Sequence, residues 1–290
     1  MRRVVVALAL LLVAGCGASG PSSSSSSSSS VTSSAPGTTA TLSTGPEVPP
    51  VAGVEAEAVR LRTDEALGGQ VQTRVTNTGD APFTVTSVAL DSPGFRPLPA
   101  RPETATYQPG QVVDLPTPFG DPVCDSAAEP AAALLTVVRP DGTAEALRVP
   151  LSADILTLIH SEECAAEAVL AVVDIQVDGI HEDGDGSTGS LILTRRSGSE
   201  KVTVTRLTRS VLVEPAADLP LELSGAGTSA SVDVHFTPAS CDPHVLAETK
   251  KPYVFVVGVV LGGADEVPLD LPVDQEDKDA LAAMIQRVCG

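Results

Sequence analysis

Val71-Gln72-Thr73-Arg74-Val75-Thr76-Asn77-Thr78-Gly79-Asp80, followed by Phe83-Thr84-Val85-Thr86, has a counterpart in Leu191-Ile192-Leu193-Thr194-Arg195-Arg196-Ser197-Gly198-Ser199-Glu200, followed by Val202-Thr203-Val204-Thr205. Each stretch is a β-rich run, a Gly turn and a second β-rich run. Gly79 and Gly198 lie 119 positions apart, as do Val85 and Val204. Period-2 alternation places Val71, Thr73 and Val75 on one face and Gln72, Arg74 and Thr76 on the other, the pattern of a half-buried strand.

The correspondence extends along the chain. Phe119 precedes Cys124-Asp125 by five positions and Phe236 precedes Cys241-Asp242 by five, so the copies have slipped by two residues. Apolar runs follow at Leu134–Val138 and Tyr253–Val257, then edge segments at Leu147–Leu151 and Leu269–Val273. Each copy closes on a short apolar-periodic segment ending in Cys, Ser152–Cys164 and Asp274–Cys289. In the second, Asp274 is placed as an N-cap before Ala280, Leu281, Met284, Ile285 and Val288 at helical spacing. Chance similarity between Val-rich strands would not keep these features in the same order.

The expected architecture is therefore all-β: two tandem domains at 51–164 and 165–290, each closed by a short helical or irregular C-terminal segment. About seven short strands per copy, with regular turn signals, is the arithmetic of an immunoglobulin-like β-sandwich. The segment Thr76-Asn77-Thr78-Gly79-Asp80-Ala81-Pro82 also resembles a hairpin of bacterial Ig-like envelope domains, which implies the same fold.

Ahead of the repeats, Arg2 and Arg3 precede an uncharged run from Val4 to Ala14, too short to stay in a bilayer as a permanent span. The run ends in Leu12-Val13-Ala14-Gly15-Cys16, which resembles the lipobox of bacterial lipoproteins. The resemblance implies a signal peptide at 1–15 and palmitate-type acyl chains on Cys16, holding the protein at the outer face of the cell membrane. Two or more chains, at about 0.8 kcal/mol per buried CH₂, suffice for a stable anchor. Residues 16–50, with nine consecutive serines from Ser22 to Ser30, have nothing with which to form a core and are expected to be a disordered tether. As a flexible coil it spans roughly 30–35 Å.

The chain has 290 residues, a net charge of −19, 2% aromatic residues and no Trp. So acidic a chain, with no basic stripe, is repelled by phosphate backbones, which argues against nucleic acid as a partner. The scarcity of Tyr and Trp argues against a carbohydrate-stacking groove. The membrane, through the anchor, and an unidentified envelope protein or ligand are the expected partners.

Cys124, Cys164, Cys241 and Cys289 form an even set in an exported chain, which points to disulfides rather than zinc, since no CxxC pair exists. Four cysteines allow three pairings. If each copy is its own domain, Cys124 pairs with Cys164 and Cys241 with Cys289. The loop His181-Glu182-Asp183-Gly184-Asp185-Gly186-Ser187 holds three acids, with Asp183 and Asp185 the candidates for calcium, but it lacks EF-hand spacing. A solvated hairpin tip is the plainer account.

No Gly-x-Ser-x-Gly or Ser-x-x-Lys pattern and no phosphate-binding Gly loop is present, and His160, His181, His235 and His244 are not matched between the copies. No catalytic residue and no cofactor is expected. Asp125 and Asp242, each after a Cys, are the kind of Asp that caps a turn. The expected function is a non-enzymatic binding or scaffolding module. The alternatives are an enzyme with a loop-built site lacking linear motifs, and a calcium-dependent adhesive module.

Overall fold

A computed structural model describes residues 47–152 and 154–290; the expected signal peptide, Cys16 and most of the expected tether lie outside the described residues. The fold is mostly β, in several sheets. The first half runs β1 (Val54–Val59), α1 (Arg62–Leu67), β2 (Gln70–Asn77), β3 (Phe83–Asp91), β4 (Arg101–Tyr107), β5 (Val112–Pro118), β6 (Ala132–Val138), β7 (Ala144–Ser152). Helix α2 (Asp154–Val172) leads into β8 (Val173–Asp183), β9 (Gly186–Arg195), β10 (Val202–Leu207), β11 (Val213–Ala217), β12 (Leu221–Leu223) and β13 (Ser229–Pro238). The chain ends with α3 (Pro243–Glu248), β14 (Phe255–Leu261), β15 (Val267–Leu271) and α4 (Gln275–Cys289).

Strand order repeats between the halves. The first sheet is ordered β4-β3-β6-β7-β1-β2-β5, its two parts joined by a short parallel pairing of Ala56 with Leu151 and Glu57 with Ser152. The second half has β12-β10-β14-β15 and β11-β13-β9-β8, the same two groups with β11 added on the outer edge of β13. Each half has its own apolar core: one around Val71, Val85, Tyr107, Leu135 and Val149, the other around Leu191, Val204, Phe236, Phe255 and Val257.

Two local expectations change. The Gly79 turn does not close a hairpin: β2 pairs with β1 and β5, and β3 pairs with β4 and β6, so the turn carries the chain from one strand group to the other. Asn77 holds this crossing, donating to the carbonyls of Ala81 and Tyr107 while its Oδ1 accepts from Gly79 N. A Cβ at Gly79 would lie 3.3 Å from Gly53 Cα, so glycine suits the close approach. Gln72, expected to face solvent, is buried because α1 folds over it; Asp64 of α1 accepts from both Gln70 and Gln72 and from Leu61 N.

The closing segment of the first copy is longer than expected. Helix α2 continues past Cys164 to Val172, and β8 begins at the next residue, so the expected boundary between residues 164 and 165 falls inside a helix. Leu156 and Ile159 of α2 pack in the first core and Val169 packs in the second. Its first half matches α4 at the buried and bridged positions: Leu156 with Leu281, Ile159 with Met284, and Cys164 with Cys289, each 125 positions apart. All four of those apolar residues are buried. Among the described residues, no helix is long and apolar enough to cross a membrane.

Free sheet edges are blunted throughout. Four of the edge strands carry proline, which cannot donate to a further strand: Pro102 in β4, Pro116 and Pro118 in β5, Pro215 in β11 and Pro268 in β15. The edge strand β12 has three residues, and β8 is bulged between Asp178 and His181.

Candidate binding cleft

Cys124 is bridged to Cys164 and Cys241 to Cys289, with Cα separations of 5.5 and 5.3 Å, inside the usual range for a disulfide. Both bridges lie within one copy and fasten its closing helix to the segment that leaves β5 or β13. Bridged cysteines mark an oxidising compartment.

Asp183 and Asp185 occupy the β8–β9 turn as the hairpin reading requires, Asp183 pairing with Gly186 across it. Asp183 accepts a 2.8 Å bond from the Thr188 hydroxyl and lies 4.0 Å from His235 Nδ1. With Asp218, Asp233 and His235, Asp183 borders an open depression on the outer face of the sheet; Asp185 does not line it. Among the described residues, no three His, Cys, Asp or Glu side chains converge to hold a metal ion. Asp242 N-caps α3, accepting from His244 N and Val245 N, whereas Asp125 is simply exposed. His160 packs edge-on against Phe95, with ring centroids 5.6 Å apart, and its Nε2 lies 3.2 Å from the Val123 carbonyl.

That histidine backs a concavity in the first half. A cleft of about 510 Å³ lies where β3 runs out into Ser92-Pro93-Gly94-Phe95-Arg96-Pro97. The loop is fixed on all sides. Ser92 Oγ donates to Ala128 O and accepts from Gly94 N. Arg96 N donates to Asp121 O at 2.8 Å, and Val123 N to Gly94 O at 2.8 Å. A Cβ on Gly120 would lie 2.3 Å from Arg96 O, so only glycine lets these two segments lie against each other. Phe95 stacks obliquely on Phe119, and the Cys124–Cys164 bridge ties the far segment to α2.

The walls are mainly apolar: Leu90, Phe95, Val123 and three prolines. Three charged groups line it. Asp91 accepts from Arg148 Nε at 2.6 Å, a pair with both members about 40% exposed. Arg96 is 71% exposed, and its nearest acid, Asp121, is 3.9 Å away and 87% exposed. So open a contact neutralises little of the guanidinium's charge.

The second half repeats the scaffold with different residues. Ser210 is buried like Ser92, its Oγ accepting from Val213 N, and Ala239 N donates to Leu212 O where Val123 N donates to Gly94 O. Arg209, Ser210, Val211 and Ser240 line a cleft there of about 560 Å³, more polar than the first. Sequence inspection missed both clefts. The only local signal is the buried-type serine in each exit loop, since Ser-Pro-Gly-Phe-Arg-Pro and Ser-Val-Leu-Val share nothing else.

No family model matches the chain. Nor does any curated protein match its sequence. Among solved structures it is similar to that of the YadV chaperone, at 16% identity and a TM-score of 0.22, over 76% of this chain and 100% of that one. A protein of unknown function from Porphyromonas gingivalis W83 matches at 15% identity and a TM-score of 0.21, over 75% and 96% of the two chains. The BSP domain of a biofilm-associated protein matches at 9% identity and a TM-score of 0.21, over 79% and 60%. Likenesses this distant carry no argument about function.

Proposed function

We propose that the chain is a non-enzymatic envelope protein, held at the outer face of the cell membrane by lipid on Cys16, with two Ig-like sandwiches carried on a Ser-rich tether to present binding surfaces. The observation that supports this most is the pair of disulfides, each closing one copy: a chain that needs oxidation in both halves belongs outside the cytosol. The repeated strand order, four and three strands in the first half and four and four in the second, supports the Ig-like assignment. The chemistry of the first cleft favours binding over catalysis. Its lining is mainly apolar, with one ion pair and one exposed arginine able to hold a charge, the composition of a small-molecule binding site.

Cys16→Ser in the full chain tests the anchor. The variant is expected to leave the membrane fraction, or to accumulate with its signal peptide uncleaved. Unchanged partitioning into the detergent phase would refute lipid anchoring. The soluble variant, immobilised and exposed to detergent-solubilised envelope, should retain a ligand that its thermally unfolded form does not.

A further inference from the structure

We infer that the cleft beneath the Ser92–Pro97 loop is a binding site for an aliphatic monocarboxylate, with Arg96 holding the carboxylate and the apolar walls holding the chain. The inference rests on the proposed binding role and names the ligand class for one surface.

Three features select that chemistry. The first is charge. The chain carries 37 acidic against 18 basic residues, yet the cleft is lined by Asp91, Arg96 and Arg148, with one cation in excess. Arg148 is already engaged by Asp91 at 2.6 Å, which leaves the Arg96 guanidinium as the group available to an anion. A planar guanidinium meets a carboxylate through two parallel N–H bonds, a geometry a lysine does not offer.

The second is the supply of hydrogen-bonding groups. A peptide bound in extended form needs main-chain partners from its receptor. Here Pro93, Pro97 and Pro130 have no N–H. The amides of Gly94, Phe95, Arg96 and Val123 are all occupied within the loop's own scaffold, by Ser92 Oγ, Ser92 O, Asp121 O and Gly94 O. A ligand with many polar groups would lose their hydration without replacement, whereas one with a single charged end and a hydrocarbon body would not.

The third is preorganisation. Both walls are held by backbone pairing, the Phe95–Phe119 contact and the adjacent disulfide, so the cleft does not have to be assembled at the moment of binding. Its volume of about 510 Å³ falls in the range of small-molecule sites, roughly 300–1,000 Å³.

The test is an NMR titration of the full chain carrying Cys16→Ser, with octanoate and octan-1-ol at neutral pH, both below their aggregation limits. Octanoate is expected to shift the amides of Phe95, Arg96 and Val123, and to bind more tightly than octanol. Arg96→Gln, at an exposed position that leaves the fold intact, is expected to weaken octanoate about tenfold or more and leave octanol unchanged. Arg209→Gln, in the other half, should change neither. Octanoate binding that is indifferent to Arg96→Gln, equal affinity for octanoate and octanol, or shifts absent from these amides would each overturn the inference. Such a failure would leave the membrane-release result for Cys16→Ser standing, so the ligand and the anchor are judged separately.

Discussion

Asp277 is 3% exposed in the first turn of α4, and its carboxylate accepts a 2.9 Å bond from Ile180 N at the bulge of β8, pinning the closing helix to the sheet. Its other oxygen has no partner among the described residues. Burial, opposed by the Ile180 amide and assisted by the nearby charges of Asp274, Asp178 and Glu276, raises its pKa above the ordinary aspartate value. A carboxyl with a raised folded-state pKa binds its proton more readily in the folded chain than in the unfolded one. Its contribution therefore favours folding in acid and is lost as pH rises through the window above the ordinary aspartate pKa. Asp277→Asn keeps an acceptor for Ile180 N and removes the charge. The variant is expected to melt higher than the parent at neutral pH, with the difference shrinking in mild acid. Calorimetry at several pH values checks this, and a constant difference would mean that the carboxyl does not titrate in that window.

At the level of elements, α2 is a helix shared between two cores. Leu156→Ala should cost about 2–5 kcal/mol, and Val169→Ala about 2 kcal/mol, because each leaves a cavity in a filled interior. The losses should fall in different places: faster hydrogen exchange in β3 and β6 for Leu156→Ala, and in β10 and β14 for Val169→Ala. Equal loss in both halves from either variant would mean that the helix makes the cores one cooperative unit. The repeat was legible in the sequence because buried positions require similar residue types at matching places in each copy, as Val85 and Val204 show. The length of α2 was legible in principle, since six of the eight residues of Ala165–Val172 are Ala, Glu or Leu, all good helix formers, but an assumed boundary at Cys164 concealed it. The clefts were not legible. Their shape comes from backbone bonds between segments some 25 residues apart, such as Arg96 N to Asp121 O, and backbone pairing of an irregular loop leaves little trace in residue type. The crossing at Gly79 was misjudged for a similar reason, because strands joined by a short turn look alike whether they pair or part.

For the molecule as a whole, the bridges carry much of the stability of each half. They close loops of 40 and 48 residues, for which the chain-entropy estimate is about 4 kcal/mol each. Replacing Cys124 and Cys164 together by Ala is expected to lower the stability of the first half by about 2–5 kcal/mol while the second half unfolds as before. Denaturant titration followed by probes in each half would show it, and parallel loss in both would contradict independent closure. The direct passage from α2 to β8 has a consequence of another kind. Endoproteases act on chain that can be drawn out and threaded through a catalytic groove, and between Asp154 and Asp183 every residue is in a helix or a strand. The junction where tandem domains are usually clipped apart offers no such substrate, so wherever a protease meets the folded chain the two halves would persist, or be degraded, together.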